Sequence, residues 1–180
     1  MSDQSITGGA GMPDGWQRLW APHRMSYLEG ENRPLPENEV VCPFCKITDL
    51  PDPEALIVTR GKEAYVVMNL YPYNAGHLLV CTNRHVAELP ELTLSERTEV
   101  TELTAHAMKL LRKVGRAVGF NIGINQGSVS GAGIAGHFHQ HIVPRWSGDS
   151  NFMPIIGKTK VIPKLLQESR EELAAGWNQI

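Results

Sequence analysis

At 180 residues, with ordinary apolar, charged and glycine content, the chain has room for one sizeable core, and its composition excludes a disordered, collagenous or disulfide-stapled molecule. A net charge of -2 gives no bulk electrostatic reason to bind a nucleic-acid polymer, although a few local groups can still hold a small phosphorylated ligand. No apolar run is long enough to cross a bilayer and no basic-then-apolar leader is visible, so no membrane partner is expected and cytoplasmic residence is.

Met1 to Gly15 is rich in glycine and small polar residues and reads as a mobile tail; residues 16–180 read as one domain with N- and C-terminal extensions. Trp16–Tyr27 carries two tryptophans and is expected to pack on the body, whereas Glu29 to Glu39 is a polar, proline-containing loop. Ala55–Thr59 and Ala64–Asn69 are β-rich runs around Arg60-Gly61, which predicts an antiparallel pair, and His77–Thr82 is a third strand after a turn at Pro72, Asn74 and Gly76. The one long helix is expected over Thr93 to Gly119. Thr93 and Glu96 have capping-box spacing, Val100, Leu103, Ala107, Leu110, Val114 and Val118 recur at helical intervals, and Gly119 offers a left-handed stop.

Phe120–Asn125 reads as a strand, Gly127–Gly136 as a loop of small residues, and His137–Val143 as a last strand ended by Pro144. Val161 to Trp177 is expected to be helical, with Pro163 near its first turn. This order of elements predicts an α+β fold with a mostly antiparallel sheet, one long helix and a C-terminal helix.

His137, His139 and His141 alternate with Phe138, Gln140 and Ile142. Strand side chains alternate faces, so the three imidazoles are expected on one face, about 7 Å between neighbours. A single strand histidine is usually packing or surface; three in register beside Gly127, Gly131, Gly133 and Gly136 point to chemistry. Neutral imidazole attacks phosphorus well at neutral pH, and backbone N–H groups of glycines can approach phosphate oxygens closely. Cys42-Pro-Phe-Cys45 has the spacing of half a tetrahedral zinc site, with a redox pair or two unconnected thiols as the other readings. The third cysteine, Cys81, leaves an odd number, and structural disulfides are not expected.

His137-Phe-His139-Gln-His141-Ile-Val143 resembles the signature of the histidine triad (HIT) family, with Gln140 departing from the usual apolar residue. Asn69…Pro72…Gly76-His77-Leu-Leu-Val80 and the long helix followed by FNIGIN have the family's order, so the likeness spans roughly Cys42 to Trp146. The resemblance implies a HIT-like fold and a two-step nucleotidyl transfer. His139 would attack the α-phosphate and carry a covalent nucleotidyl group; His141 would bond the phosphate or the departing group. Asn69 would hold the ribose and Leu70 would wall the base. Asn125, with Ser128 or Ser130 and the backbone of Gly131 and Gly133, would bond phosphate oxygens. Arg145 is placed to add a positive charge.

In the zinc-containing branch of the family the cysteine pair is joined by two histidines, matching His85 and His137 here, so the resemblance implies a structural Zn2+ on Cys42, Cys45, His85 and His137. His77 would support the site or pack beside it, while His23 and His106 carry no signal. Mg2+ bridging substrate phosphates stays open, since no carboxylate cluster announces a protein-built site. In hydrolytic relatives a glutamine stands four residues before the first triad histidine; here that position is Gly133. Arg18–Met25, Asn69–Asn74, Val143–Asp149, Asn151-Phe and Lys160–Pro163 resemble the actinobacterial-type diadenosine tetraphosphate phosphorylases. In those enzymes inorganic phosphate resolves the adenylyl-histidine, and the products are ATP and ADP. A hydrolase of dinucleoside polyphosphates or nucleoside phosphoramidates that releases AMP is the alternative. A ligand-sensing protein without turnover and a catalytic metal site are readings from other classes. The family also implies a homodimer or higher homo-oligomer.

Overall fold

The three apolar runs between residues 55 and 82 build a sheet that is covered on both sides. In the computed structural model of the chain, which describes residues 42–149, 156 and 164–180, five strands form one antiparallel sheet in the order β1-β2-β3-β5-β4. They are β1 Ile57–Arg60, β2 Ala64–Met68, β3 Leu78–Thr82, β4 Gly119–Ile124 and β5 His139–Arg145. Two single-turn helices, α1 Pro43–Lys46 and α2 Asp52–Ala55, precede β1; α3, Leu94–Gly115, joins β3 to β4; and α4, Leu166–Trp177, lies C-terminal to β5. The observed architecture is the α+β one that the order of elements implies.

Alternation decides which side chain meets which layer. Val66, Leu78, Val80 and Ile142 face Val100, Ala107, Leu110 and Leu111 of α3 and Leu173 and Trp177 of α4. On the opposite face Tyr65, Val67, Leu79 and Cys81 meet Phe44 of α1 and Ala55 of α2. Burying each large apolar side chain in these layers stabilises the fold by roughly 1.5–3 kcal/mol. Gln140 points to the α3 side, where its Nε2 donates to Thr104 Oγ1 at 2.7 Å. Its departure from an apolar residue is matched by a polar partner on the helix.

Several boundaries move from their sequence-based places. The strand expected from Ala55 starts two residues later: Ala55 ends the helical turn Asp52–Ala55, Leu56 closes it in the left-handed region at φ 57°, and β1 begins at Ile57. The long helix begins as expected, with Thr93 Oγ1 accepting from the Glu96 N–H and the Glu96 carboxylate accepting from the Thr93 N–H. It stops at Gly115 with Arg116 left-handed at φ 53°, and Gly119 opens β4 instead of ending the helix. β5 runs through Pro144 to Arg145, because β3 pairing stops at Leu78↔Ile142 and leaves Pro144 flanked by β4 alone. The C-terminal helix begins at Leu166 after non-helical Lys164 and Leu165. The expectations for the tail, Trp16–Tyr27, Glu29 to Glu39, His23, Asn151-Phe and Lys160–Pro163 lie outside the described residues.

Candidate functional site

Antiparallel register sets Leu79 opposite His141 and Cys81 opposite His139, so both imidazoles stand on the face away from α3. Their ring centroids are 5.1 Å apart. His137 departs from the expected register. It sits in a bend before β5, with Phe138 pinned by its N–H to the Val86 carbonyl, and the His137 ring turns to the cysteine pair.

Backbone partners fix the protonation of each ring. His139 Nδ1 lies 2.8 Å from the His137 carbonyl, which can only accept, so Nδ1 carries the proton and Nε2 keeps its lone pair. His139 is buried, and burial pushes its pKa below the ordinary imidazole value against the opposing pull of that bond. The result is a neutral imidazole with a free Nε2, the form that attacks an electrophile.

The next ring is set by His77. The Tyr73 backbone N–H donates to His77 Nδ1 at 3.0 Å, so His77 is protonated on Nε2 and donates to His141 Nδ1 at 3.0 Å. His141 therefore carries its own proton on Nε2, which is buried without a hydrogen-bond partner, the one such side-chain atom among the described residues. Burial, with a smaller contribution from His139, lowers the His141 pKa to about 4. An unpaired buried N–H costs roughly 1–3 kcal/mol, and an incoming acceptor would relieve it. His77 is thus not packing alone; its side chain selects the tautomer of His141. The sequence signal was period two, which puts His77 on the face of Leu79 and Cys81, but nothing in the sequence announced the pairing with β5.

Aromatic rings flank this row. Phe44 lies 4.9 Å from His139 and 5.6 Å from His137. Tyr73 stacks on His141 at 5.5 Å with 14° between planes and lies 4.7 Å from His77. The Phe44 contacts and the Tyr73–His141 stack had no signal in the sequence, because they join segments distant along the chain.

The turn that delivers His77 needs Gly76, whose φ is 69° and where a Cβ would come within 3.2 Å of Leu111 and 3.5 Å of Pro144. Asn69 follows β2; its N–H donates to the His77 carbonyl, its Oδ1 accepts from the Tyr71 N–H, and its Nδ2 is 3.3 Å from His77 Nδ1. Leu70 is exposed beside it. Asn125 is half-buried past the end of β4, where Gly123 faces His141. In the loop, Gly127 and Gly131 have φ 78° and 84°, and a Cβ on either, or on Gly133, would meet nothing within 4 Å. Ser128 is exposed, whereas the Ser130 hydroxyl donates to the Gly127 carbonyl and closes a turn, leaving only its oxygen lone pairs. Arg145 is held by both carboxylate oxygens of Asp149, at 2.6 and 2.9 Å, and by Asn121 Oδ1 at 2.7 Å, so its charge is already compensated. His106 is satisfied locally, its Nε2 2.8 Å from the Trp177 carbonyl.

Cys42, Cys45, His85 and His137 bring one donor atom each to within 4.8 Å of one another. Cys42 Sγ and Cys45 Sγ each lie 3.4 Å from His137 Nδ1, Cys45 Sγ is 3.3 Å from His85 Nδ1, and the two Nδ1 atoms are 3.2 Å apart. Tetrahedral zinc with Zn–S near 2.3 Å and Zn–N near 2.0–2.1 Å needs adjacent donors about 3.3–3.8 Å apart. The cluster fits that requirement. His137 Nε2 donates to the Thr82 carbonyl at 2.8 Å, which leaves Nδ1 to face the cluster. Burial and the neighbouring Cys42 push the Cys45 thiol up, the repulsion that a bound dication would relieve. The His85 loop is anchored by Arg84, whose guanidinium reaches the Glu96 carboxylate at 2.9 and 2.8 Å and the Glu91 carbonyl at 2.9 Å.

A family profile for the HIT domain matches residues 52–148. The chain is 46% identical over 172 residues to the AP-4-A phosphorylase of Mycobacterium tuberculosis, covering 94% of this chain and 88% of that one. It is 37% identical over 90 residues to the asymmetrical bis(5'-nucleosyl)-tetraphosphatase of Schizosaccharomyces pombe, about half of each chain (50% and 49%). Among solved structures, a zinc-bound histidine triad family protein from Mycobacterium smegmatis superposes with a TM-score of 0.63 at 27% identity, over 77% of this chain and 94% of that one.

Proposed function

The chain belongs to the HIT domain family, and from that premise we propose that this nucleotide-processing enzyme cleaves diadenosine tetraphosphate by phosphorolysis through an adenylyl group carried on His139. The observation that carries the reading is the pair of complementary imidazoles: a bare Nε2 on His139 beside an unpartnered N–H on His141. In the first step His139 Nε2 attacks the α-phosphorus, a P–N bond forms, and the P–O bond to the departing ATP breaks. The developing imidazolium charge is balanced by the Nδ1–H bond to the His137 carbonyl. His141 Nε2–H bonds a phosphoryl or departing oxygen, the site at which charge accumulates. In the second step inorganic phosphate attacks the adenylyl group, releases ADP and returns His139 to its neutral form.

Asn69 and Leu70 hold the ribose and base in this reading, and Asn125, Ser128 and the backbone of Gly131 and Gly133 receive phosphate oxygens. Ser130 supports the loop. Arg145, paired to Asp149, orders the end of β5 more than it neutralises substrate, and Mg2+ arriving with the polyphosphate would supply the cation. Zn2+ held by Cys42, Cys45, His85 and His137 would have no open position and would fix the bend from which the His137 carbonyl meets His139. Assembly as a homodimer belongs to the same proposal, supported by the β4 edge and its exposed Ile122.

Turnover of diadenosine tetraphosphate with and without inorganic phosphate tests the acceptor: phosphate-dependent ATP plus ADP is expected, and AMP formed at saturating phosphate overturns phosphorolysis in favour of hydrolysis. The likeness to the fission-yeast tetraphosphatase keeps that second outcome specific. His139→Ala tests the nucleophile. It should abolish turnover and the acid-labile adenylyl-protein while nucleotide binding survives; retained turnover overturns the covalent step.

A further inference from the structure

The β2–β3 turn carries two large aromatic side chains that the fold leaves open to solvent: Tyr71 is 79% exposed and Tyr73 51%. An exposed pair of this size is unusual for a turn whose other residues, Asn69, Asn74 and Gly76, are committed to hydrogen bonds or close packing. Tyr73 is also not free to lie anywhere. Its ring is stacked nearly parallel on His141 and set against His77, so it continues the row of rings beyond the imidazole whose Nε2–H lacks an acceptor. The other end of the row is closed by the buried Phe44, against His139 and His137. The row therefore ends in the buried Phe44 on the His139 side and in the half-exposed Tyr73 on the His141 side.

We propose that Tyr73, with Tyr71, is the stacking platform for the base of the departing nucleotide, and so makes the enzyme select donors whose leaving group is itself a nucleotide. The inference rests on the nucleotidyl-transfer reading above. In-line displacement sends the leaving group away from His139, and a group whose departing oxygen bonds His141 Nε2–H must pass over the residues beside His141. A polyphosphate chain that leaves in that direction carries its terminal nucleoside toward the open turn. Aromatic faces bind any base by stacking, each stacked base giving about tenfold or more in affinity. The Tyr71 N–H bond to Asn69 Oδ1 holds the turn in one conformation, so little ordering is needed on binding.

The test compares two adenylyl donors on the full-length protein: diadenosine tetraphosphate, which expels ATP, and adenosine 5'-phosphoramidate, which expels ammonia. The readout is the ratio of kcat/KM for the two donors in the wild type, Tyr71→Ala, Tyr73→Leu and Tyr73→Phe. The ratio is expected to fall about tenfold in Tyr73→Leu and severalfold in Tyr71→Ala, through a raised KM for the dinucleotide, and to be retained in Tyr73→Phe. Equal losses for both donors would mean that the tyrosines serve the transferred nucleoside or only brace His141, and would overturn the proposal. An unchanged ratio in Tyr71→Ala and Tyr73→Leu would overturn it as well. A wild type that forms no adenylyl-histidine from either donor would overturn the transfer reading first and this inference with it, a result distinct from an active enzyme with an unaltered ratio.

Discussion

A histidine's chemistry depends on which nitrogen holds the proton, and here backbone atoms make that choice. The His137 carbonyl puts the proton of His139 on Nδ1, and the Tyr73 N–H, acting through His77, puts that of His141 on Nε2. Replacing His77 by Phe keeps the ring packing against Tyr73 and His141 but removes the donor that selects the tautomer. Steady-state kinetics on His77→Phe should show kcat reduced by about 10²-fold with KM changed much less. Both imidazoles are held below the usual value, His141 to about 4, so both are neutral at pH 7. Turnover should therefore be flat from neutral pH down and fail on the acid side of the ordinary imidazole range. A kcat/KM profile with its acid limb above pH 7 would contradict this. The linkage has the same sign: the unfolded chain binds protons near pH 6.5 that the fold refuses, so stability falls as pH drops from about 6.5 toward 4.

At the scale of elements, Glu96 serves two structures at once. It is the reciprocal partner of Thr93 in the capping box of α3 and the acceptor for Arg84, the residue before His85. The Arg84 bonds, with those from Thr93, hold the Glu96 carboxyl down to about 2. Its stabilising effect is present above the ordinary carboxylate pKa and lost as pH falls through about 2. Thr93→Ala should cost about 1 kcal/mol in urea-midpoint measurements, the usual worth of an N-cap. Glu96→Ala should cost more than Thr93→Ala and should also weaken metal binding, because the loop carrying His85 loses its anchor. Equal metal affinity in wild type and Glu96→Ala would show that the anchor does not reach the cluster.

For the whole molecule, the cysteine–histidine cluster joins α1 to the loop after β3 and the approach to β5, the last two of which also share the bond from the Phe138 N–H to the Val86 carbonyl. A chelator that strips metal should lower the unfolding temperature by several degrees and reduce turnover, and added Zn2+ should restore both. Loss of activity with an unaltered melting curve would instead point to a metal acting on substrate. β4 is a sheet edge whose Ile122 is 45% exposed, and on the proposed assembly the mass measured by light scattering is expected to be that of a dimer or a higher homo-oligomer. Among the described residues no helix is long and apolar enough to cross a membrane.

Local rules reached a definite depth. Period-two alternation located the histidine strand, β-rich runs bounded by turn residues located the two strands before it, and Thr93 with Glu96 marked the helix start, because those signals are carried by neighbours along the chain. The family signature singled out His139 and His141, the Cys-x-x-Cys spacing singled out the cysteine pair, and the resemblance to the zinc-containing branch added His85 and His137, whose donor atoms the fold gathers with those of the cysteines. The helix end was misplaced at Gly119 because the left-handed position fell on the exposed Arg116, beside the buried Ala117 whose N–H donates to the Leu111 carbonyl. What only the tertiary structure decided is pairing across distance. Register with β3 sets His139 and His141 against Cys81 and Leu79, the bend at His137 trades strand register for the metal cluster, and His77 and Tyr73 reach His141 from 64 and 68 residues away. A sequence states which groups can donate, accept or stack; which of them meet is fixed by the burial of two apolar faces of one sheet, a property of the whole chain and of no segment within it.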